Sequence, residues 1–330
     1  MGNIVGIDIG TNRLKLVVSN GKKIKKVVSA DMPENLVKEG EVVSLESMGE
    51  FLRETMKANR VSASDAAVVL HGERIYLKNV TLPIMTTPQL IYNLPFEFRD
   101  YITEELKDYM FDYAMESIHE EEGTMDMFAA AVPKEMVENY RMILRKAGLK
   151  MKKAAPMLCC YQGILRQHEK LKDAPGDYCI LDLGYTHTRM DVFHGVSYRT
   201  TNEIEIGTKG IVTAVAEMMS VDEHIAHTYL MSNHKDCQNS DVCKNAYENM
   251  AVSLMRTMNF LRYSNPDASF EKIYLCGGGG SIDPLRAAIE ESMDMEVHFA
   301  WDLFEDKGGL SPVEGAAFVL AAGILEDLKA

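Results

Sequence analysis

Two places in this 330-residue chain set a carboxylate beside a glycine turn in the same way. Asp8-Ile9-Gly10 ends the apolar run Ile4–Asp8, and Asp182-Leu183-Gly184 ends the run Cys179–Leu183. Overlaid on these pairs, Lys15 meets Arg189, Leu16 meets Met190 and Val18 meets Val192. Each copy reads as strand, Asp-x-Gly turn, strand. Glycine lets the backbone fold back and leaves N–H groups free in the turn. Such a turn can cradle a phosphate while the aspartate holds Mg²⁺ through water. One Asp-x-Gly hairpin is an ordinary β-turn. Two in matching context, facing each other, would clamp a polyphosphate between two domains. A third stretch, LCGGGGSIDPLRAAI (275–289), runs a strand into Gly277–Gly280 and then into a helix. Glycines there let backbone approach a flat ring or a phosphate closely. The chain has no Walker A motif and no GxGxxG after a strand, so P-loop and Rossmann readings fall away.

The elements that must position these residues follow from apolar spacing and turn residues. Ile4–Asp8, Arg13–Val18 and Lys23–Val28 are strand-like, with the Asn20-Gly21 hairpin signal between the last two. Leu45–Lys57 is helical by period and Ala66–Leu70 reads as a buried strand. A strand–helix–strand–strand–helix block then occupies 75–148: Ile75–Leu82, a helix opened by Thr87-Pro88, Met110–Glu116, Met125–Val132 and Glu135–Ala147, closed by Gly148. Leu149–Ala154 returns as a strand and Met157–His168 as a helix, before a turn-rich linker at 172–177. The second half restarts with strands Cys179–Leu183, Thr188–Phe193 and Tyr198–Ile206. A helical stretch from Ile211 to about Tyr263 follows, then strand Lys272–Leu275, helix Asp283–Glu291 and a small-residue helix, Pro312–Leu328.

Composition bounds the function. With 35 Lys+Arg against 49 Asp+Glu the net charge is −14, and the basic clusters Lys22–Lys26 and Lys150–Lys153 are short, which argues against a nucleic-acid surface. Ala316–Leu325, the longest apolar run, has ten residues, about half of what a membrane-spanning helix needs. The opening MGNIVGIDIG has neither the basic region nor the apolar core of a signal peptide, so no leader is expected. Six cysteines without a CxxC pair fit a reducing compartment. Cys159-Cys160 are expected to be buried, inert thiols. His224, His227, His234, Cys237 and Cys243 are rich in ligands, but their spacing matches no common zinc frame.

Residues 4–18, 179–193 and 273–286 resemble the first phosphate, second phosphate and adenosine motifs of the actin/sugar kinase/DnaK superfamily. Ala155–Gly163 and Pro312–Gly323 resemble its two connecting helices at the hinge. The insertion at 75–148 is similar to that of the FtsA/PilM branch. VTLP (80–83), AAAVPKEMVENYRMILRKAGLK (129–150), IEIGTKGIVTAVAEMM (204–219) and MNFLRYSNPDASFEKIYLCGGGG (258–280) resemble the PilM family of type IV pilus assembly proteins more closely. The resemblance implies an α/β, actin-like (ribonuclease H-like) duplicated two-domain fold with an inserted small β-α-β-β-α module. The first domain would comprise 1–74 with 149–172 and 308–330, the module 75–148, and the second domain 173–307 with a helical subdomain at about 210–270.

It also implies a cleft for ATP or ADP with Mg²⁺. Asp8 and Asp182 would hold the metal through water, and the backbones of Gly10, Thr11, Asn12 and of Gly184, Tyr185, Thr186 would hold phosphates. Lys15 would add charge, Gly207 would flank the site, and Gly277, Gly278 and Gly279 would flank the adenosine. The partner implied is the N-terminal cytoplasmic tail of a PilN-like inner-membrane protein, docked where the module meets the first domain. The chain would then sit in the cytoplasm, peripheral to the membrane through that partner, without inserting; self-association is a further expectation. Three departures bear on chemistry. Ala155, where DnaK-type chaperones carry a glutamate before the proline, removes a general base, help typically worth 10²–10⁴-fold, so hydrolysis is expected to be slow or absent. Val221–Leu230 carries no lysine where PilM-like proteins contact the nucleoside, and the glycine motif continues Ile-Asp-Pro instead of Leu-Pro-Gly. An FtsA-like division protein and a small-molecule kinase are the alternatives.

Overall fold

The computed structural model describes residues 2–328 except 39, 171, 173–174 and 265–270. Parts of the 172–177 linker and of the 258–280 stretch therefore lie outside the described residues.

β1 (Ile4–Ile9), β2 (Arg13–Ser19) and β3 (Ile24–Asp31) form an antiparallel meander in which Asp8 stands opposite Lys15. Asn20 and Gly21 make the second turn as expected: Gly21 takes a φ of 84°, and the Asn20 side chain accepts the Lys22 and Lys23 amides. A two-residue-a-side hairpin, β4 (Val37–Lys38) and β5 (Glu41–Val42), leads to α1 (Leu45–Ala58), capped by Ser44. β6 (Asp65–Leu70) then pairs parallel with β1. The inserted module follows: β7 (Tyr76–Pro83), α2 (Thr87–Asn93), β8 (Tyr109–His119) and β9 (Thr124–Pro133). Its strands make a separate sheet, β7-β9-β8, with its own core around Leu90, Phe98 and Met127.

α3 (Lys134–Lys146) leads to β10 (Lys150–Pro156), parallel to β6, and then to α4 (Met157–Glu169). Parallel neighbours need a crossover, and α3 supplies it. Its buried residues Met136, Val137, Tyr140, Ile143 and Leu144 join the core of the first sheet beside Ile7 and Leu52. Expected as part of the module, this helix packs with the first sheet.

The second half repeats the plan. β11 (Asp177–Leu183), β12 (Thr188–His194) and β13 (Ser197–Ile204) form a meander with Asp182 opposite Arg189. Helices α5 (Lys209–Met219), α6 (Glu223–Met231) and α7 (Asp241–Ser264) precede β14 (Lys272–Cys276); α8 (Asp283–Met293) leads to β15 (Glu296–Phe299). The sheet orders, β3-β2-β1-β6-β10 and β13-β12-β11-β14-β15, are the same plan twice. This is the duplicated actin-like architecture.

The C-terminal helix is not continuous. α9 (Pro312–Gly315) passes through a 3-10 turn, Ala316–Phe318, into α10 (Val319–Asp327). The Ala316 carbonyl accepts the Gly277 N–H at 3.0 Å, which diverts it from the helical ladder at the break. α10 packs on α4, β1 and β6. An added Cβ on Gly163 would lie 2.6 Å from the Asp327 nitrogen, and one on Gly323 would lie 2.9 Å from the Cys160 carbonyl oxygen, so glycines let these helices cross closely.

Candidate functional site

Asp8, Asp182 and Gly277 all sit where a central strand ends, β1, β11 and β14 respectively. Ligands of open α/β sheets collect at carboxyl strand ends, and pairing fixes the levels. Asp182 is in register with Cys276 on β14, so Gly277 follows directly beside it. Ile7 is in register with Val68 on β6, so His71 emerges beside the first turn.

Asp8 is 1 % exposed and both of its oxygens are engaged. Lys15 Nζ donates to Oδ2 at 2.9 Å, and His71 Nε2 lies 2.7 Å from Oδ1. Burial opposes ionisation, but Lys15 and His71 outweigh it and hold the carboxyl well below the usual carboxylate range. Lys15 in turn is disfavoured by burial, yet Asp8 and then Asp182 raise its pKa. Asp182 goes the other way. Desolvation pushes its carboxyl up, Lys15 and the Tyr161 hydroxyl (3.0 Å) pull it down, and the Asp8 charge pushes it up again. Lys15 is thus bonded to Asp8 and lies within electrostatic reach of Asp182, as the two aspartates lie of each other. Carboxylate oxygens are the donors that hydrated divalent ions take, and these two aspartates are the ones here that could offer them.

The turns differ from expectation in one respect. Gly10 N–H donates to the Arg13 carbonyl and Gly184 N–H to the His187 carbonyl, each at 3.1 Å, so neither is free for a phosphate. The turn amides of Thr11, Asn12, Tyr185 and Thr186 take no partner in the backbone hydrogen bonds of the described residues. The Thr208 and Lys209 amides bond the Gly184 and Tyr185 carbonyls, which ties the start of α5 to the second turn. Gly207 is required there because a Cβ would strike the Tyr185 carbonyl.

The glycines of the third motif have different reasons. Gly277 has φ +84°, and a Cβ would meet Asp182 Oδ1. Gly279 is packed against Leu183 and Thr208, 2.8 Å from an added Cβ. Gly278 alone faces open space, so its backbone forms the accessible wall. Ala155 is buried and puts no carboxylate beside these turns.

Sequence reasoning missed His71 and Tyr161. A His-Gly pair directly after a buried strand was the available signal for His71; nothing in the local sequence marks Tyr161, a fully buried α4 residue. In the His/Cys-rich region the side chains have packing and hydrogen-bond partners. Cys237 and Cys243 are buried, the Cys237 thiol donates to the Tyr229 carbonyl and His234 stacks on Tyr229 at 4.2 Å. No group of three or more metal-ligating side chains occurs among the described residues. Cys160 is buried and Cys159 half-buried, and burial pushes the Cys159 thiol up to about 12, as inert thiols require.

A shallow, open hollow lies where β5, the connection into the module and α3 meet. Its walls include Val42, Leu45, Met136 and Tyr140, with Glu41, Arg74 and Glu135 at the polar side. His71 lines it too.

Among known proteins, the family model of type IV pilus assembly protein PilM matches residues 6–311. A chain of a PilM–PilN type IV pilus biogenesis complex superposes with TM-score 0.79 at 21% identity, over 98% of this chain and 97% of that one. Ethanolamine utilization protein EutJ from Carboxydothermus hydrogenoformans follows at TM-score 0.60 and 15% identity, over 98% and 89%. MreB5 of Spiroplasma citri bound to AMPPNP gives TM-score 0.53 and 9% identity, over 100% and 95%. No helix among the described residues is long and apolar enough to cross a membrane.

Proposed function

The chain belongs to the type IV pilus assembly protein PilM family, and from that premise we propose that it is a cytoplasmic scaffold of a type IV pilus machine. It takes the tail of a PilN-like membrane protein in the hollow at the base of the module and a Mg-nucleotide in the cleft. The observation that supports the cleft is the pair of matched Asp-x-Gly turns, with Lys15 bonded to Asp8 and within electrostatic reach of Asp182. Asp8 and Asp182 would hold the hydrated metal, and the Thr11, Asn12, Tyr185 and Thr186 amides would meet phosphates. Lys15 would add positive charge, and Gly278, between Gly277 and Gly279, would lie along the adenosine. When bound, the metal neutralises the polyphosphate's charge. The protein's own groups bind and orient, Ala155 supplies no carboxylate where a general base would stand, and the nucleotide acts chiefly as a latch between halves, with slow hydrolysis or none.

The hollow supports the partner reading because it combines an apolar floor with charges of both signs, the chemistry that anchors a short peptide. Anchoring through such a partner would hold the chain at the membrane's inner face. The division-protein and kinase alternatives are not favoured, since the family model covers 6–311. Titrating the chain with a synthetic N-terminal tail of a PilN-like protein tests the scaffold reading. One-to-one binding weakened at least about tenfold by Met136→Asp, whose charge would have to desolvate in the hollow, is expected. Unchanged affinity in that variant would move the partner elsewhere.

A further inference from the structure

His71 touches both candidate sites. Its Nε2 lies 2.7 Å from Asp8 Oδ1, while the residue also lines the hollow with Met136, Tyr140 and Arg74. The connection is short and made of contacts. Gly72, with φ +146°, lets the chain turn immediately after His71, and an added Cβ there would lie 2.7 Å from the Met136 Cε. Tyr140, buried, lines the hollow together with His71 and lies within electrostatic reach of Asp8 and Glu41. Arg74, three residues on, reaches Glu41 at 3.7 Å across the rim. In the registers of the two sheets His71 stands where Gly278 stands in the other half: Ile7 pairs with Val68, as Leu181 pairs with Leu275. One jaw thus ends in a bare backbone wall and the other in an imidazole that grips the aspartate.

We propose that His71 is a positioning residue that couples the hollow to the cleft. A peptide side chain seated against Met136 and Tyr140 braces the His71-Gly72 turn, and the braced imidazole holds the Asp8 carboxylate in its metal-facing orientation. Asp8 then needs less ordering when a Mg-nucleotide arrives. Linkage makes the effect reciprocal: the nucleotide tightens the peptide by the same factor. The inference rests on the functional reading above, and it assigns the route by which its two ligands communicate.

The test is calorimetric titration of the full chain with Mg-ADP, free and saturated with the PilN-like tail peptide. It is run on the wild type, His71→Gln and His71→Ala. In the wild type the peptide is expected to tighten Mg-ADP at least about fivefold. His71→Gln, which keeps an N–H toward Asp8, should retain most of that gain. His71→Ala should still bind both ligands, with the gain reduced to within about twofold of none, the span of unlinked sites. Coupling that survives in His71→Ala, a glutamine no better than alanine, or independent binding in the wild type overturns the inference while leaving both sites standing. A wild type that binds only one of the two ligands overturns the functional reading instead, and the coupling with it. Should His71→Ala fail to fold, amide exchange in the wild type decides. Slower exchange over 136–143 on adding Mg-ADP supports the coupling, and unchanged exchange overturns it.

Discussion

Asp8 and Asp182 are the same chemical group in equivalent turns, yet their surroundings drive them in opposite directions. Asp8 is held ionised by Lys15 and His71 against the cost of burial; Asp182 has only a phenol hydroxyl and a more distant share of Lys15. Removing the first charge should therefore hurt and removing the second should not. Asp8→Asn strands a buried ammonium, which typically costs about 3–5 kcal/mol, and urea melts should show it. Asp182→Asn is expected to leave stability unchanged or raised. The pH dependence follows the same signs. The folded-state pKa of Asp8 is lowered, so its contribution is present above the unfolded carboxyl value of 3.8 and is lost only as pH falls toward the depressed folded one. That of Asp182 is raised, so its penalty develops as pH climbs past 3.8 toward the raised folded value. Melts of Asp182→Asn and wild type should thus coincide near about pH 3 and diverge in the variant's favour toward about pH 7. The two aspartates and their glycines are legible from residue type and repetition. His71 and Tyr161 are not, because their roles depend on the register of β6 against β1 and on where α4 crosses, both long-range facts.

At the scale of elements, the site depends on helices and loops that approach closely because side chains are missing. A Cβ on Gly6 would collide with the Ala321 carbonyl under α10, and Gly163 and Gly323 make the α4–α10 crossing. Overpacking typically costs about 1–3 kcal/mol, occasionally more. Gly163→Val and Gly323→Val are expected to lose at least that in urea denaturation, with nucleotide affinity falling as the hinge is forced apart. Gly278→Leu is the contrast. Its site is open, so stability should stay within about 0.5 kcal/mol, while the side chain fills the nucleoside wall and weakens Mg-ADP at least about tenfold, the scale of about 1.4 kcal/mol. Most strands and helices were readable from period and punctuation, down to the Asn20-Gly21 hairpin, but the short strands β4, β5 and β15 and the break between α5 and α6 were not. Two further features were hidden. The break between α9 and α10 arises because the Ala316 carbonyl answers Gly277, a contact between segments 39 residues apart by number. The allegiance of α3 is set by which core its apolar stripe meets, and the stripe alone cannot say.

For the whole molecule, the two matching sheets share one apolar core with α4 and α10. A ligand touching both jaws stabilises whichever arrangement brings them together. At a hundred times its Kd that amounts to about 2.7 kcal/mol, enough to set the arrangement a partner meets in the hollow. The most direct test is titration of the folded chain with Mg-ADP, in parallel with Asp8→Asn and Asp182→Asn. The account expects one site per chain in the wild type and at least about a hundredfold weaker binding in each variant, the equivalent of about 2.7 kcal/mol. Full affinity retained in either variant, or no heat from the wild type at millimolar nucleotide, would contradict it.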